Sequence, residues 1–259
     1  MVAFTGERIS AHDEDFRPDL SQHLAAYRAC LPLVSGKVVL DGGCGEGYGA
    51  KWIAESARLV VGVDSSWETA REAGRFGPQN LHLSCSDLQG LGFRDGSFDV
   101  VCSFQVLEHF RQPLTHLSEA ARVLRPEGVL ILSTPNRIAS FSENPYHFKE
   151  YRPEELRELL EPLFPSVAIL GIFGNERVRT LQSSRRRQVT RILRLDPLGL
   201  RRVLPQPIQK WAFAKLARFV RRRMRADHRE SFGELGPSDF TVGEKDLKES
   251  MDLLAICRK

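Results

Sequence analysis

No stretch of this 259-residue chain approaches the roughly 18 consecutive apolar residues that a membrane-spanning helix requires. The five cysteines (Cys30, Cys44, Cys85, Cys102 and Cys257) are odd in number, scattered and without a C-x-x-C pair. That spacing argues against a disulfide framework or a zinc cluster and for reduced thiols in a cytosol. The opening MVAFTGERISAHDEDF carries acids and no apolar core, so no secretory signal is expected there. The segment 176–240 holds no internal repeat and no low-complexity tract beyond its arginines. The expected location is the cytoplasm, with peripheral contact at the inner face of the membrane as a variant of that reading.

Hydrophobic residues make up 42% of the chain and charged residues 27%, enough for a sizeable core. The net charge of +4 conceals an asymmetry. Arg177 to Arg229 holds 17 Lys/Arg against two acids, Asp196 and Asp227, whereas the rest holds 20 against 31. An acidic body thus carries a strongly basic segment, which is a statement about partners rather than fold.

A helical pattern begins at Asp19, with Leu20, Leu24, Tyr27 and Leu31 on one face. Short apolar runs then alternate with helical stretches. Strands are expected at Val38–Leu40, Arg58–Asp64, Asn80–Leu83, Phe98–Phe104, Val129–Thr134, Val167–Phe173 and Leu253–Cys257. Helices are expected near Tyr48–Ala57, Trp67–Gly74, Thr115–Leu124 and Glu154–Leu160. Continuous apolar strands separated by helices of about ten residues describe an α/β protein with a parallel sheet covered on both faces. The expected division is a body of residues 1–175 plus 241–259, and a basic helical insertion over 176–240.

The run VVLDGGCGEGYGA, from Val38 to Ala50, leads from a strand into glycines. Gly45-x-Gly47-x-x-Ala50 matches the dinucleotide pattern, but it begins four residues after Asp41, inside the turn and the first helical turn. A pyrophosphate needs the first glycine almost directly after the strand. Asp41-x-Gly43-x-Gly45-x-Gly47 starts in the right place. Its carboxylate suits the cationic end of S-adenosylmethionine and would repel a pyrophosphate.

On these residues the chain resembles the class I S-adenosylmethionine-dependent methyltransferases, and further blocks extend the match from Lys37 to Asn136. Asp64 ends the second strand, Ser86-Asp87-Leu88 follows the third, and Asp95 to His109 resembles the fourth-strand signature of the ubiquinone/menaquinone-type branch. Arg122 to Asn136 resembles its fifth strand, although Pro126-Glu-Gly128 stands where the family usually has Pro-Gly-Gly, and Gly42 where it usually has an apolar residue. The resemblance implies a Rossmann-like, doubly wound sheet of seven strands in the order 3-2-1-4-5-7-6, with the last antiparallel. It also implies S-adenosylmethionine as cofactor, held by Asp41, Gly43, Gly45, Gly47, Asp64, Ser65, Asp87, Leu88 and Phe104. Asp64 would accept from the ribose hydroxyls.

The acceptor side is expected beyond the same strand ends, at Glu108, His109, Tyr146 and His147. In related quinone O-methyltransferases a Glu-x-x-Glu-His cluster binds a divalent metal. Gln105 replaces its first acid here, so no metal is expected. His109 is either a catalytic group or a residue that caps a helix or packs under the cofactor. Asn144 to Tyr151 resembles the N-P-[YF]-H-x-x-E-[YF] segment of methyltransferases associated with glycan and secondary-metabolite pathways, and the opening Phe4 to Arg8 resembles that same group. His147 is either a base for a sugar hydroxyl or a loop anchor, and Glu150 a salt-bridge partner. Glu108 and Tyr146 are expected to contact the acceptor.

These readings lead to O-methylation of a saccharide, glycolipid or related small molecule. The alternatives are a quinone-type methyltransferase and a cofactor-binding adaptor without turnover. In the basic insertion, Ile208, Trp211, Ala212, Leu216, Phe219, Val220 and Met224 recur at helical spacing among arginines. That helix either packs internally, meets an anionic membrane or lipid-linked substrate across residues 185–225, or binds nucleic acid. The [DNS]-P-P-[YFW] motif of amino-methylating DNA enzymes is absent after the fourth strand, which disfavours nucleic acid.

Overall fold

The computed structural model describes residues 9–66, 77–141, 144–194, 196 and 204–259. The Phe4–Arg8 motif, the expected helix over Trp67–Gly74 and part of the basic segment lie outside the described residues. The chain builds strands β1 (Val38–Gly42), β2 (Leu59–Asp64), β3 (Leu81–Cys85), β4 (Phe98–Phe104) and β5 (Leu124–Pro135). The series ends with β6 (Ser166–Gly174), β7 (Phe240–Gly243) and β8 (Asp252–Arg258). They form one sheet in the order β3-β2-β1-β4-β5-β8-β6-β7. β8 runs antiparallel to both neighbours, and β7 runs antiparallel to β6 at the edge. The count is therefore eight where seven were expected. The extra strand, Phe-Thr-Val-Gly, is too short to carry a readable alternation.

Helices α1 (Arg17–Val34), α2 (Tyr48–Ala54), α3 (Pro113–Val123) and α4 (Pro153–Leu160) connect the strands. In α1 and α3 to α4 a proline stands in the first turn, where its missing N–H costs nothing. Successive strand residues face opposite sides, so Val39 and Val100 join the α1 and α2 core while Leu40 and Val101 join Leu117 of α3 and Leu156 of α4. Each such fully buried leucine or valine contributes roughly 2 kcal/mol.

Residues 176–240 hold α5 (Glu176–Leu193), α6 (Gln206–Asp227) and α7 (Arg229–Gly233). Asn175 caps α5 by accepting from Val178 N–H. Val220, Met224, Phe232 and Leu235 join the core cluster that includes Ala25 and Tyr27 of α1. Asp19 of α1 meets Arg185 of α5 at 2.7 Å and Arg221 of α6 at 2.9 Å. The sequence reading placed all seven apolar residues of α6 on one stripe, and the fold divides them. Val220 and Met224 face the body, whereas Ile208, Trp211 and Phe219 remain exposed.

Candidate active site

The glycine loop after β1 owes its course to two constraints. Gly43, Gly45 and Gly47 all have positive φ. At Gly43 (φ +80°) an added Cβ would also sit 2.4 Å from Val106 Cγ2, so no other residue fits without displacement. Asp64, at the tip of β2, holds the loop open by accepting from Gly45 N–H at 3.1 Å and Ser66 N–H at 2.9 Å. Carboxylate oxygens accept more than one hydrogen bond each, so this latch is compatible with a bound diol.

Around this loop lies an open cleft of about 660 Å³. That is the size of an ordinary small-molecule site, about 300–1,000 Å³. It sits beyond the carboxyl ends of β1, β2 and β4, where ligands bind in such sheets. Its wall brings together Gly43, Gly45, Asp64, Ser65, Asp87, Leu88, Phe104, Glu108, His109, Tyr146 and His147, eleven of the thirteen expected site residues. The other two lie beneath it. Gly47 precedes α2. Asp41 is fully buried and accepts from the Tyr27 hydroxyl at 3.1 Å and 3.2 Å. Burial pushes the Asp41 carboxyl up to about 7, against the Tyr27 hydrogen bond.

Sequence reasoning missed part of the wall. His23 and Tyr48 line the cleft. His23 Nε2–H donates to the Phe104 carbonyl at 3.2 Å, and its Nδ1 accepts from Tyr48 Oη–H. Burial lowers His23 to about 4, so the ring stays neutral. A signal was available: His23 and Tyr27 stand one turn apart on the buried face of α1, where purely apolar residues would be the norm. Gln105 also lines the cleft and has φ +56°, in the left-handed region. Such a backbone on a side-chain-bearing residue costs about 1–3 kcal/mol and concentrates at functional sites.

The acceptor side is built from the end of β4 and the loop after β5. The Glu108 carbonyl accepts from Phe148 N–H at 2.8 Å, docking that loop. Within it, Asn144 Oδ1 accepts from Tyr146 N–H, which fixes the amide orientation, and Asn144 Nδ2 then donates to His147 Nε2 at 3.0 Å. His147 Nδ1–H donates to Glu150 at 2.9 Å. Both nitrogens of His147 are thus engaged inside its own loop, the geometry of an anchor. Burial opposes the charge on Glu150, but His147, Ser140 and Arg137 outweigh it and keep the carboxyl below its ordinary value.

His109 is placed differently. Its Nδ1–H donates to the Tyr146 carbonyl at 3.2 Å, which leaves the lone pair of the neutral ring on Nε2. The side chain is 35% exposed, and its Nε2 lies 4.0 Å from Glu108 Oε1. Glu108 accepts from Thr134 Oγ1–H at 3.0 Å, and burial raises its carboxyl to about 7. Glu108, His109 and His147 each present one ligand-type atom, all within 4.8 Å of one another. The expectation of no metal rested on the residues after β4; the loop after β5 adds His147, whose ring nitrogens are engaged by Asn144 and Glu150.

Known proteins can be compared with this arrangement. A family model described as a methyltransferase domain matches residues 40–132. A Mycobacterium tuberculosis protein named "Probable S-adenosylmethionine-dependent methyltransferase" is 37% identical over 190 residues, covering 71% of this chain and 69% of its own length. A Mycolicibacterium smegmatis protein with the same designation is 33% identical over 262 residues, covering 98% of this chain and 94% of its own. Among solved structures, a SAM-dependent methyltransferase from Thermotoga maritima superposes with a TM-score of 0.60 at 16% identity, covering 94% of this chain and 92% of its own. At that identity the superposition speaks for the fold alone.

Proposed function

Because the chain belongs to the S-adenosylmethionine-dependent methyltransferases, we propose that it methylates a hydroxyl oxygen of a saccharide, glycolipid or related small acceptor. The family supplies the cofactor and the transfer, and the residues fit both. Gly43, Gly45 and Gly47 give a left-handed loop with open space where a Cβ at position 45 would project, and Asp64 offers a carboxylate at the strand tip. In this reading Asp64 and Ser65 hold the ribose, Asp87, Leu88 and Phe104 the adenine, and the glycine loop the amino-acid end, with Asp41 and Gly47 supporting it from below.

The sulfonium methyl is already activated when the cofactor is bound. What remains for the protein is alignment, exclusion of water and removal of the acceptor's proton. The observation carrying the oxygen assignment is His109, whose Nδ1–H is tied to the Tyr146 carbonyl so that Nε2 is the basic nitrogen. His109 Nε2 is placed to take the hydroxyl proton of a bound acceptor, to which S-adenosylmethionine would supply the methyl group. Glu108 steadies the imidazolium that forms. Tyr146 shapes the acceptor wall, and His147 with Asn144 and Glu150 holds the loop that carries it.

One observation favours the quinone-type alternative, in which a divalent cation would activate the acceptor. It is the convergence of Glu108, His109 and His147 donors. Turnover after exhaustive chelation separates the two, since the base reading expects no change.

The test is transfer of labelled methyl to fractionated extract, run beside three variants. Label should enter the glycan or glycolipid fraction, and label confined to quinones or RNA would refute the acceptor assignment. Asp64→Ala should weaken S-adenosylmethionine binding more than tenfold by calorimetry. His109→Ala should lower kcat about 100-fold with cofactor affinity kept. His147→Ala should act mainly on KM.

A further inference from the structure

The outward side of α6 has a composition at odds with ordinary solvent exposure. Ile208, Trp211, Lys215, Phe219 and Arg222 follow one another at three- and four-residue steps, which places them in a single stripe along the helix. Trp211 is 64% exposed, Phe219 56% and Ile208 47%. Soluble proteins seldom align large apolar side chains in this way without a partner for them. Lys215, Arg222 and Arg223, all exposed, are interleaved with or border the stripe. The inward side is fully used, since Val220 and Met224 are in the core and Arg221 lies 4.2 Å from the centre of the Phe16 ring.

We propose that this stripe of α6 docks on an anionic lipid surface, with Trp211, Phe219 and Ile208 entering the interface and Lys215 and Arg223 meeting the headgroups. Two arguments select lipid over other occupants. Charge complementarity requires an anionic partner, and an exposed row of Trp, Phe and Ile requires an apolar one. An anionic bilayer offers both in a single plane, whereas a nucleic-acid backbone offers only the first. Part of the basic segment is also consumed internally. Asp19 takes Arg185 and Arg221, and Asp15 takes Arg225 and, more loosely, Arg222.

The same helix touches the acceptor side of the cleft. Phe213 meets the Tyr146 ring edge-on at 6.2 Å between centroids, and Lys210 Nζ lies 4.8 Å from the centre of that ring. Docking α6 would therefore bring the wall formed by Tyr146 close to the lipid surface. This deepens the reading of a lipid-linked acceptor, yet its assay needs neither acceptor nor turnover, so the two can fail independently.

The full-length protein is to be sedimented with phosphatidylcholine vesicles containing increasing phosphatidylglycerol, without cofactor or acceptor. Binding should rise with the anionic fraction, fall as salt is added, and be undetectable on pure phosphatidylcholine. Trp211→Ser with Phe219→Ser should weaken it at least tenfold, while S-adenosylmethionine affinity and circular dichroism match the parent. Lys215→Gln with Arg223→Gln should weaken binding at low salt and remove most of its salt dependence. Failure of the parent to bind anionic vesicles would overturn the proposal. So would undiminished binding by the aromatic variant, or tighter binding to mixed-sequence RNA than to vesicles.

Discussion

Gly43 and Gly45 stand two residues apart in one loop, and a methyl group would mean different things at each. Both have positive φ, but the Cβ at Gly43 meets Val106 at 2.4 Å whereas that at Gly45 meets nothing within 4 Å. At Gly45, Ala pays only the left-handed backbone cost of about 1–2 kcal/mol. At Gly43 it adds a clash with a side chain that itself forms the cleft wall. Gly43→Ala is therefore expected to lower stability by about 3 kcal/mol and to abolish cofactor binding. Gly45→Ala should lose about half as much and keep measurable affinity. Thermal unfolding and cofactor calorimetry on the two proteins would test the ranking, and equal losses would contradict it. Both glycines were legible in the sequence from their register against Asp41. Their inequality was not, because it depends on Val106, 63 residues further on.

At the scale of elements, the strands and most helices could be read because their apolar runs are long and uninterrupted. β7 could not, having four residues, and α6 could be placed but not oriented. Apolar residues lie on two sides of α6; Val220 and Met224 pack inward, on the side where Arg221 pairs with Asp19. Burial works against its charge, but Arg185 and Arg221 outweigh it and hold the carboxyl well below its ordinary range. Arg221 is 8% exposed, so losing its counter-charge strands a buried cation. Asp19→Asn should cost about 2 kcal/mol, reduced from the fully buried case because the Asp19 side chain keeps 19% exposure. It should also release α5 and α6 from α1, so brief trypsin treatment ought to cut within residues 176–227 long before it cuts the sheet. Asp15→Asn, whose partners Arg222 and Arg225 are largely solvated, should change the digestion pattern little. In the parent, the Asp19 contribution is present above the ordinary carboxyl pKa and is lost as pH falls below it.

Across the whole molecule, buried ionisable groups act on stability with opposite signs. His23 and His116 are lowered by burial to about 4, so their share is complete above the ordinary histidine value and is lost as pH falls towards 4. Asp41, Glu108 and Asp252 are each raised by burial to about 7. The folded state then binds more protons than the unfolded chain between about pH 4 and 7, and their share is lost as pH rises through that window. Asp41 and Glu108 belong to the cleft, where a substitution would mix stability with binding. Asp252 is on β8, behind the cleft wall and beside Gln105, and its Oδ2 accepts from Gln22 Nε2–H at 2.6 Å. An amide keeps an oxygen for that bond and removes the titration. Asp252→Asn should therefore gain on the parent as pH rises from 5 to 8, by about 1–3 kcal/mol. Urea unfolding of both proteins at the two pH values gives the difference directly. A parallel shift, with no gain at pH 8, would mean that Asp252 is ionised in the folded state across the whole range.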